Sequence, residues 1–362
     1  MSIASKFKAA ADRGAASGSR VTRRVMRIIE GDVPSFMELP LLDEVEGRPD
    51  MVVVGVPYEG VKIRDRFTFV PARADLQEAI YARTGADKAP DAIRRQSVYY
   101  SVDHSGGLMP ERGRGFRIVD ALTVCDGGNV AIDHKVPAQK TLHAAADRIQ
   151  EMIGKKAVPI IFGGDDTVPY VGMRAVGRQN KGKRIAAIKL DSHFDLSWEP
   201  KYWAGSQWAR AMEAGYLKPE NFALIGIRGL RNGMSWHAAA DELGIRYWTL
   251  WDVEEQGIAA VMAAAIAAVT KGCDLLYLSL DLDVIDPAFL PAQKYPDPGG
   301  LTAREALRAL RIAVDTGPRL AGFDMACLGP DFDLNGLGAQ LAARCAVEVI
   351  GAYGHRFGRK RT

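Results

Sequence analysis

Seven short apolar runs, separated by segments with helical patterning, constrain the fold of this chain most. The runs are continuous rather than alternating, which is typical of parallel strands covered on both faces. Strands are predicted at Met51–Val56, Val158–Phe162, Ile185–Leu190, Phe222–Ile227, Ile245–Leu250, Leu275–Leu280 and Leu320–Met325. Their alternation with helical segments predicts an α/β fold, a three-layer αβα sandwich around a mainly parallel sheet.

Five helices are predicted between and after these strands. Apolar spacing and helix-forming residues place them at Thr141–Ile153, Ser235–Leu243, Ile258–Thr270, Thr302–Val314 and Leu337–Ile350. Thr302 is followed three residues later by Glu305, a pair that predicts a capping box at the start of the fourth helix.

The composition is that of one large folded unit with basic ends. We expect a basic N-terminal arm and lead-in over residues 1–50, a single domain over 51–355 and a basic tail over 356–362. The arm has the composition of a transit peptide, but also of an arm used in subunit contacts. Four scattered cysteines without a CxxC pair favour a reducing, cytoplasmic location. A formal charge of +3 argues against nucleic acid as a partner, and no apolar run is long enough for a membrane span.

Two segments with alternating aspartates directly follow predicted strands. Asp191, His193 and Asp195 alternate in the first, and Asp281 and Asp283 in the second. Side chains two residues apart share a face of an extended chain, so these groups crowd together and repel unless cations lie between them. Aspartates also form turns and caps after strands, but the double alternation favours a site for one or two divalent ions. Manganese, nickel or zinc would suit these ligands.

Two further polar segments follow predicted strands, GGDDT at 163–167 and FDMACLGP at 323–330. In sheets of this class, ligands collect beyond the carboxyl ends of the strands. All four segments are therefore expected at one rim.

The chain resembles the ureohydrolases, the family of arginases and agmatinases, from about Val52 to Ala352. The shared motifs are VGVPYEG, PDAIR, CDGGN, IGIRG and, most specifically, DLDVIDPAFLPA followed by PDPGGLTAREAL. The resemblance implies an αβα enzyme with a paired-metal site, holding Mn or Ni, that hydrolyses guanidino compounds to urea and an amine. The metal ligands that it implies are Asp166 and Asp195 for the first ion, His193 and Asp283 for the second, and Asp191 and Asp281 between them.

Three departures fall on positions that this family uses for chemistry. Asp166 stands where the family's GGDH motif has histidine, which adds a negative charge and is expected to raise the pKa of metal-bound water. Ala204 aligns with the histidine of the family's SHG segment, a candidate proton donor to the leaving amine. Cys327 aligns with the glutamate that receives the guanidinium. The catalytic residues are therefore unknown. A nucleophilic role for Cys327 is disfavoured, because no neighbouring histidine is evident.

The residues leave two functional interpretations open. In one, the chain is itself an active metal-dependent hydrolase of an unusual guanidino or amide substrate. In the other, it is a divergent subunit of a guanidine or biguanide C–N hydrolase that releases urea or guanylurea, and an intact paralogous subunit performs catalysis in a trimer or hexamer. The three departures favour the second interpretation, in which the chain is similar to the less conserved partner of heteromeric metformin hydrolases. A deacetylase of the same fold is disfavoured by the GGD and SxDxD loops.

Overall fold

A parallel sheet of eight strands forms the middle layer of the molecule. The computed structural model describes residues 3, 5, 6, 8, 9, 26–60, 83–113 and 115–360. Its strands are β1 (Ile28–Glu30), β2 (Val33–Pro34), β3 (Met51–Val56), β4 (Val124–Asn129), β5 (Val158–Gly163), β6 (Ile185–Leu190), β7 (Phe222–Ile227), β8 (Arg246–Thr249), β9 (Leu275–Asp281) and β10 (Arg319–Ala326). Its α-helices between residues 83 and 360 are α1 (Ala89–Ser97), α2 (Val102–Ser105), α3 (Ile118–Ala121), α4 (Ala138–Ile153), α5 (Val168–Gln179), α6 (Gln207–Glu213), α7 (Met234–Leu243), α8 (Leu250–Gln256), α9 (Ile258–Val269), α10 (Ala303–Thr316) and α11 (Leu337–Phe357).

The strand order confirms the predicted parallel α/β sheet. The order is β4-β3-β5-β10-β9-β6-β7-β8, and each neighbouring pair is parallel. β1 and β2 form a separate antiparallel pair. All seven predicted strands are present, with ends that shift by a residue or two. The sequence missed β4, because this edge strand carries the polar segment CDGGN rather than an apolar run.

Helices cover both faces of the sheet and complete the three layers. On one face α1, α11, α10 and α9 pack against one another in that order, and on the other α4, α5 and α6 form a second row. The predicted capping box is confirmed at the start of α10. The Thr302 hydroxyl accepts from the Glu305 amide at 3.2 Å, and the Glu305 carboxylate accepts from the Thr302 amide at 2.9 Å. Each exchange satisfies an amide that the first helical turn leaves unpaired.

Four adjacent strands in the middle of the sheet end at the same level. The register pairs Phe162 of β5 with Met325 of β10, Met325 with Leu280 of β9, and Leu280 with Leu190 of β6. The polar segments that follow these strands therefore begin side by side. This alignment explains how loops distant in sequence meet at one rim, as the strand-end argument predicts.

Some predictions made from the sequence fall outside the described residues. Most of the basic arm does so, because residues 10–25 are among those that are not described. In the part of the chain that is described, no helix is both long enough and apolar enough to cross a membrane.

A tight backbone crossing holds the loop after β5 against the loop after β3. The Asp165 amide donates to the Tyr58 carbonyl oxygen at 2.9 Å, and Asp165 Oδ2 accepts from the Gly60 amide at 2.8 Å. A Cβ atom on Gly164 would overlap that same Tyr58 oxygen. Only glycine allows this approach, which fixes where the following aspartates lie.

We therefore predict that Gly164→Ala lowers the free energy of unfolding by about 2 kcal/mol or more, as overpacking against a backbone atom does. Gly233→Ala is the matched control. Gly233 has φ −68° and its nearest neighbour is Ser235 Oγ at 3.8 Å, so the control should lose less than about 1 kcal/mol. Urea unfolding measures both variants. Equal stability of the two would show that the crossing tolerates a side chain.

Candidate metal centre

The strand-end loops bring the predicted metal ligands together in two overlapping groups. The first group is Asp191, His193 and Asp283, and the second is Asp166, Asp191 and Asp281. Within each group the candidate ligand atoms all lie within 4.8 Å of one another, and all five side chains are buried. The sixth predicted ligand, Asp195, is in neither group. Its carboxylate contacts the Lys189 ammonium, which also contacts Asp166 of the second group.

Tight aspartate turns create the alternation seen in the sequence. Asp191 Oδ1 accepts from the His193 amide at 2.6 Å, and Asp281 Oδ1 accepts from the Asp283 amide at 2.9 Å. In each turn an aspartate accepts from the amide two residues later, which caps the strand end. The turn-forming role of these aspartates is therefore real, but it uses only one carboxylate oxygen of each.

One position in this cluster fits a divalent ion. His193 Nδ1 lies 3.3 Å from Asp283 Oδ2 and 3.5 Å from Asp191 Oδ1. Apart from His193, the described residues offer Asp283 Oδ2 no hydrogen-bond donor, although this oxygen is fully buried. Asp283 Oδ1 is held by the Ser192 hydroxyl at 2.5 Å. A buried carboxylate oxygen that faces an imidazole nitrogen across a short gap is the arrangement that a bridging cation stabilises.

The short distances from His193 to these two carboxylates also explain its raised pKa. Burial disfavours the charged ring, but the Asp283 and Asp191 carboxylates outweigh it and raise the pKa of His193 well above its ordinary value. Burial likewise opposes ionisation of Asp283, but His193 and the Ser192 hydroxyl lower the pKa of this carboxyl. Without a metal ion, both shifts favour a protonated His193 next to an ionised Asp283.

The other position already holds a cation from the protein, the ammonium group of Lys189. Lys189 Nζ lies 2.6 Å from Asp166 Oδ2 and 2.6 Å from Asp195 Oδ2, and it also contacts Asp191 Oδ2. Burial disfavours the ammonium, but these carboxylates raise the pKa of Lys189 well above its ordinary value. Lys189 is fully buried on β6. The residues at this position therefore do not fit a second divalent ion.

Lys189 and Gln207 are site residues that the sequence analysis missed. Lys189 interrupts an apolar strand and lies two residues before Asp191, so both side chains point to the same face of the extended chain. This pattern could have revealed it. Gln207, the first residue of α6, donates to Asp166 Oδ2 and, at 3.2 Å, to Asp195 Oδ2. Nothing in the sequence around Gln207 indicates this contact.

The pKa of the Cys327 thiol is raised well above its ordinary value. The larger cause is burial, and the second is the nearby Asp281 carboxylate. Cys327 is fully buried after β10 with φ 68°, a left-handed conformation that is unusual for a residue other than glycine. A neutral thiol is a poor nucleophile, so the structure does not support a nucleophilic role for Cys327.

Ala204 lies in the turn that precedes α6, and its methyl group can neither donate nor accept a proton.

Aromatic and cationic groups cover the His193 side of the cluster. The rings of His193 and Tyr295 meet edge to face, with their centroids 5.9 Å apart. The exposed guanidinium of Arg231 stacks over the Tyr295 ring at 4.4 Å. The rim next to the candidate ion thus carries positive charge.

Known proteins share the sequence pattern and the fold described above. The sequence model of the arginase family matches residues 49–351. Proclavaminate amidinohydrolase from Streptomyces clavuligerus is 28% identical, over 89% of this chain and 93% of its own, and guanidinopropionase from Pseudomonas aeruginosa is 28% identical over 88% and 91%. The solved structure of the Streptomyces enzyme superposes with a TM-score of 0.73, 26% identity and coverage of 91% of this chain and 100% of its own. Formiminoglutamase from Trypanosoma cruzi, solved with Mn²⁺, shares the fold with a TM-score of 0.72 at 19% identity, over 90% of this chain and 100% of its own.

We predict that the chain binds a divalent ion through His193 and Asp283. Elemental analysis of protein saturated with Mn²⁺ and freed of excess metal should find bound manganese that falls to background in Asp283→Asn, because this change removes a ligand oxygen. Asp286→Asn is the control from the same loop. Asp286 accepts from the backbone amides of Ala288 and Gly299, so its variant should keep the ion. Equal manganese in both variants would exclude Asp283 as a ligand.

Proposed function

Because this chain belongs to the arginase family, we propose that it is a divergent ureohydrolase subunit, and that a paralogous subunit with a complete site performs guanidine or biguanide C–N hydrolysis. The observation that carries the proposal is the thiol of Cys327, which the family resemblance aligns with the guanidinium-binding glutamate. It is fully buried beside the metal-ligand cluster.

A guanidinium substrate would find no acidic partner at this position. Losing one member of a buried, hydrogen-bonded charge pair costs about 2–5 kcal/mol or more, since the other charge stays desolvated and unpaired. The positive charge of Arg231 above Tyr295 adds repulsion at the rim. Both features weaken binding of the cationic substrates that the names of the relatives, amidinohydrolase and guanidinopropionase, suggest for the assembled enzyme.

The metal cluster supports the same conclusion. When bound, a divalent ion supplies a nucleophile by lowering the pKa of its water, and paired ions also hold the substrate and leaving group. His193, Asp191 and Asp283 would hold one such ion. The first position is blocked by Lys189, and Ala204 offers no proton to a leaving amine. A chain with these features keeps the fold of a hydrolase but lacks several parts of its chemistry.

The intact position around His193 favours one alternative, an active hydrolase that uses a single ion. Its substrate would be an uncharged amide or a neutral guanidino compound, because the Cys327 thiol offers a cation no carboxylate. The two proposals differ in whether the chain turns over without a partner.

We predict that the isolated chain, saturated with Mn²⁺ or Ni²⁺, shows negligible hydrolysis of arginine, agmatine or guanidinobutyrate. Urea release measured over hours should stay far below ordinary enzyme rates of about 1 s⁻¹ or faster. A relative of this family that retains the GGDH, SHG and FDxxE motifs serves as the positive control in the same buffer. Turnover at ordinary rates by this chain alone would refute the non-catalytic proposal.

We also predict a mixed oligomer. Co-expression with a paralogue that retains the three motifs should yield a co-purifying trimer or hexamer, because homologous subunits can share one interface geometry. The complex should release urea or guanylurea from a guanidino or biguanide compound. Asp283→Asn in this chain should cost at most about twofold in rate. The equivalent change in the partner should cost about a hundredfold or more, since even residues that only orient a metal ligand are worth about 10–100-fold. Equal losses would mean that this chain's own site turns over.

A further inference from the structure

We infer that the Lys189 ammonium permanently replaces the first divalent ion of this site, so that the cluster holds at most one metal ion, on the His193 side. The inference goes beyond the subunit role proposed above and does not depend on it. It concerns which cation balances the buried carboxylates of this chain.

Carboxylate oxygens occupy the space around the Lys189 ammonium, and two of them, from Asp166 and Asp195, accept its hydrogen bonds. A lysine ammonium has three N–H donors and no acceptor. Three carboxylate oxygens surround Nζ, from Asp166, Asp195 and Asp191. Oxygen ligands lie about 2.0–2.6 Å from hard divalent ions. An ion among these same oxygens would overlap the ammonium nitrogen and would repel its charge.

Lys189 cannot easily make room for an ion. It lies in the middle of the sheet, where it is paired in register with Leu224 of β7 and Ser279 of β9, and none of its side chain is exposed. Moving the ammonium elsewhere in the strand layer would bury an unpaired charge, which is among the most costly changes that a protein interior undergoes.

The lysine also gives a physical reason for Asp166. This aspartate stands at the position of the family's GGDH histidine, and a neutral imidazole would give the ammonium a weaker partner than a carboxylate does. The Asp166 carboxyl accepts from the Lys189 ammonium at 2.6 Å, and Gln207 donates to the same oxygen. Asp166 and Lys189 therefore form one unit, an ion pair built into the place of an ion and its histidine ligand.

The Lys189 side of the cluster is therefore expected to fold without a metal ion. An ammonium balances carboxylate charge, but it has no open coordination position and cannot bind a water as a ligand. The first position is thus structural in this chain. Removing the ammonium while keeping the side chain's volume should reopen the position to a metal ion.

Lys189→Met tests this inference through metal stoichiometry rather than activity. Equilibrium dialysis against saturating Mn²⁺, followed by elemental analysis, should find one more ion per chain in Lys189→Met than in the wild type. The melting temperature of the variant should fall in EDTA and recover when Mn²⁺ is added. Lys294→Met is the matched control, since Lys294 is equally buried and pairs with Glu59 outside the cluster. It should lose stability that Mn²⁺ does not restore, and it should bind as many ions as the wild type.

Two results would overturn the inference. One is a wild-type chain that binds two Mn²⁺ ions. The other is a folded Lys189→Met variant that binds no more manganese than the wild type. If Lys189→Met does not fold even with Mn²⁺, the wild-type stoichiometry decides alone, with at most one ion supporting the inference and two refuting it. None of these outcomes depends on a partner subunit, so this inference and the subunit proposal can fail separately.

Discussion

The contact on which this site depends is the one between the Lys189 ammonium and the buried carboxylates around it. Asp166, Asp191 and Asp195 come from the ends of β5 and β6, and their negative charges are brought together without solvent. Such a cluster is stable only with cations inside it. One of these cations is the Lys189 side chain, which is part of strand β6. The cluster can therefore assemble during folding without waiting for an ion at that position.

The rest of the site is arranged around this contact. The strand register aligns the ends of β5, β10, β9 and β6, and the aspartate turns fix Asp191 and Asp281 at these ends. The half of the cluster with the imidazole keeps the ligands of a metal position, and the half with the lysine does not. The Cys327 thiol lies buried beside the same cluster, where the Asp281 carboxylate helps to raise its pKa. The ends of the central strands thus carry these groups on an intact parallel sheet.

Much of this could be predicted from the sequence. Continuous apolar runs located seven of the strands, and the alternation of Asp191, His193 and Asp195 located the rim, because both patterns follow directly from strand geometry. The edge strand β4 was missed because Asp126 in it is paired with Arg94 across 32 residues, a contact that no local pattern shows. Lys189 was missed for a similar reason. A lysine in a buried strand is informative only when its partners are known, and they come from two separate loops.

The most direct test of the account is a crystal structure of the chain grown in saturating Mn²⁺, with anomalous scattering used to count the ions. The account predicts at most one manganese peak per chain, next to His193 and Asp283, with the Lys189 ammonium still bound between Asp166, Asp191 and Asp195. Two peaks separated by about 3.5–4 Å, the spacing of two-metal hydrolase sites, with Lys189 displaced from the carboxylates, would contradict it.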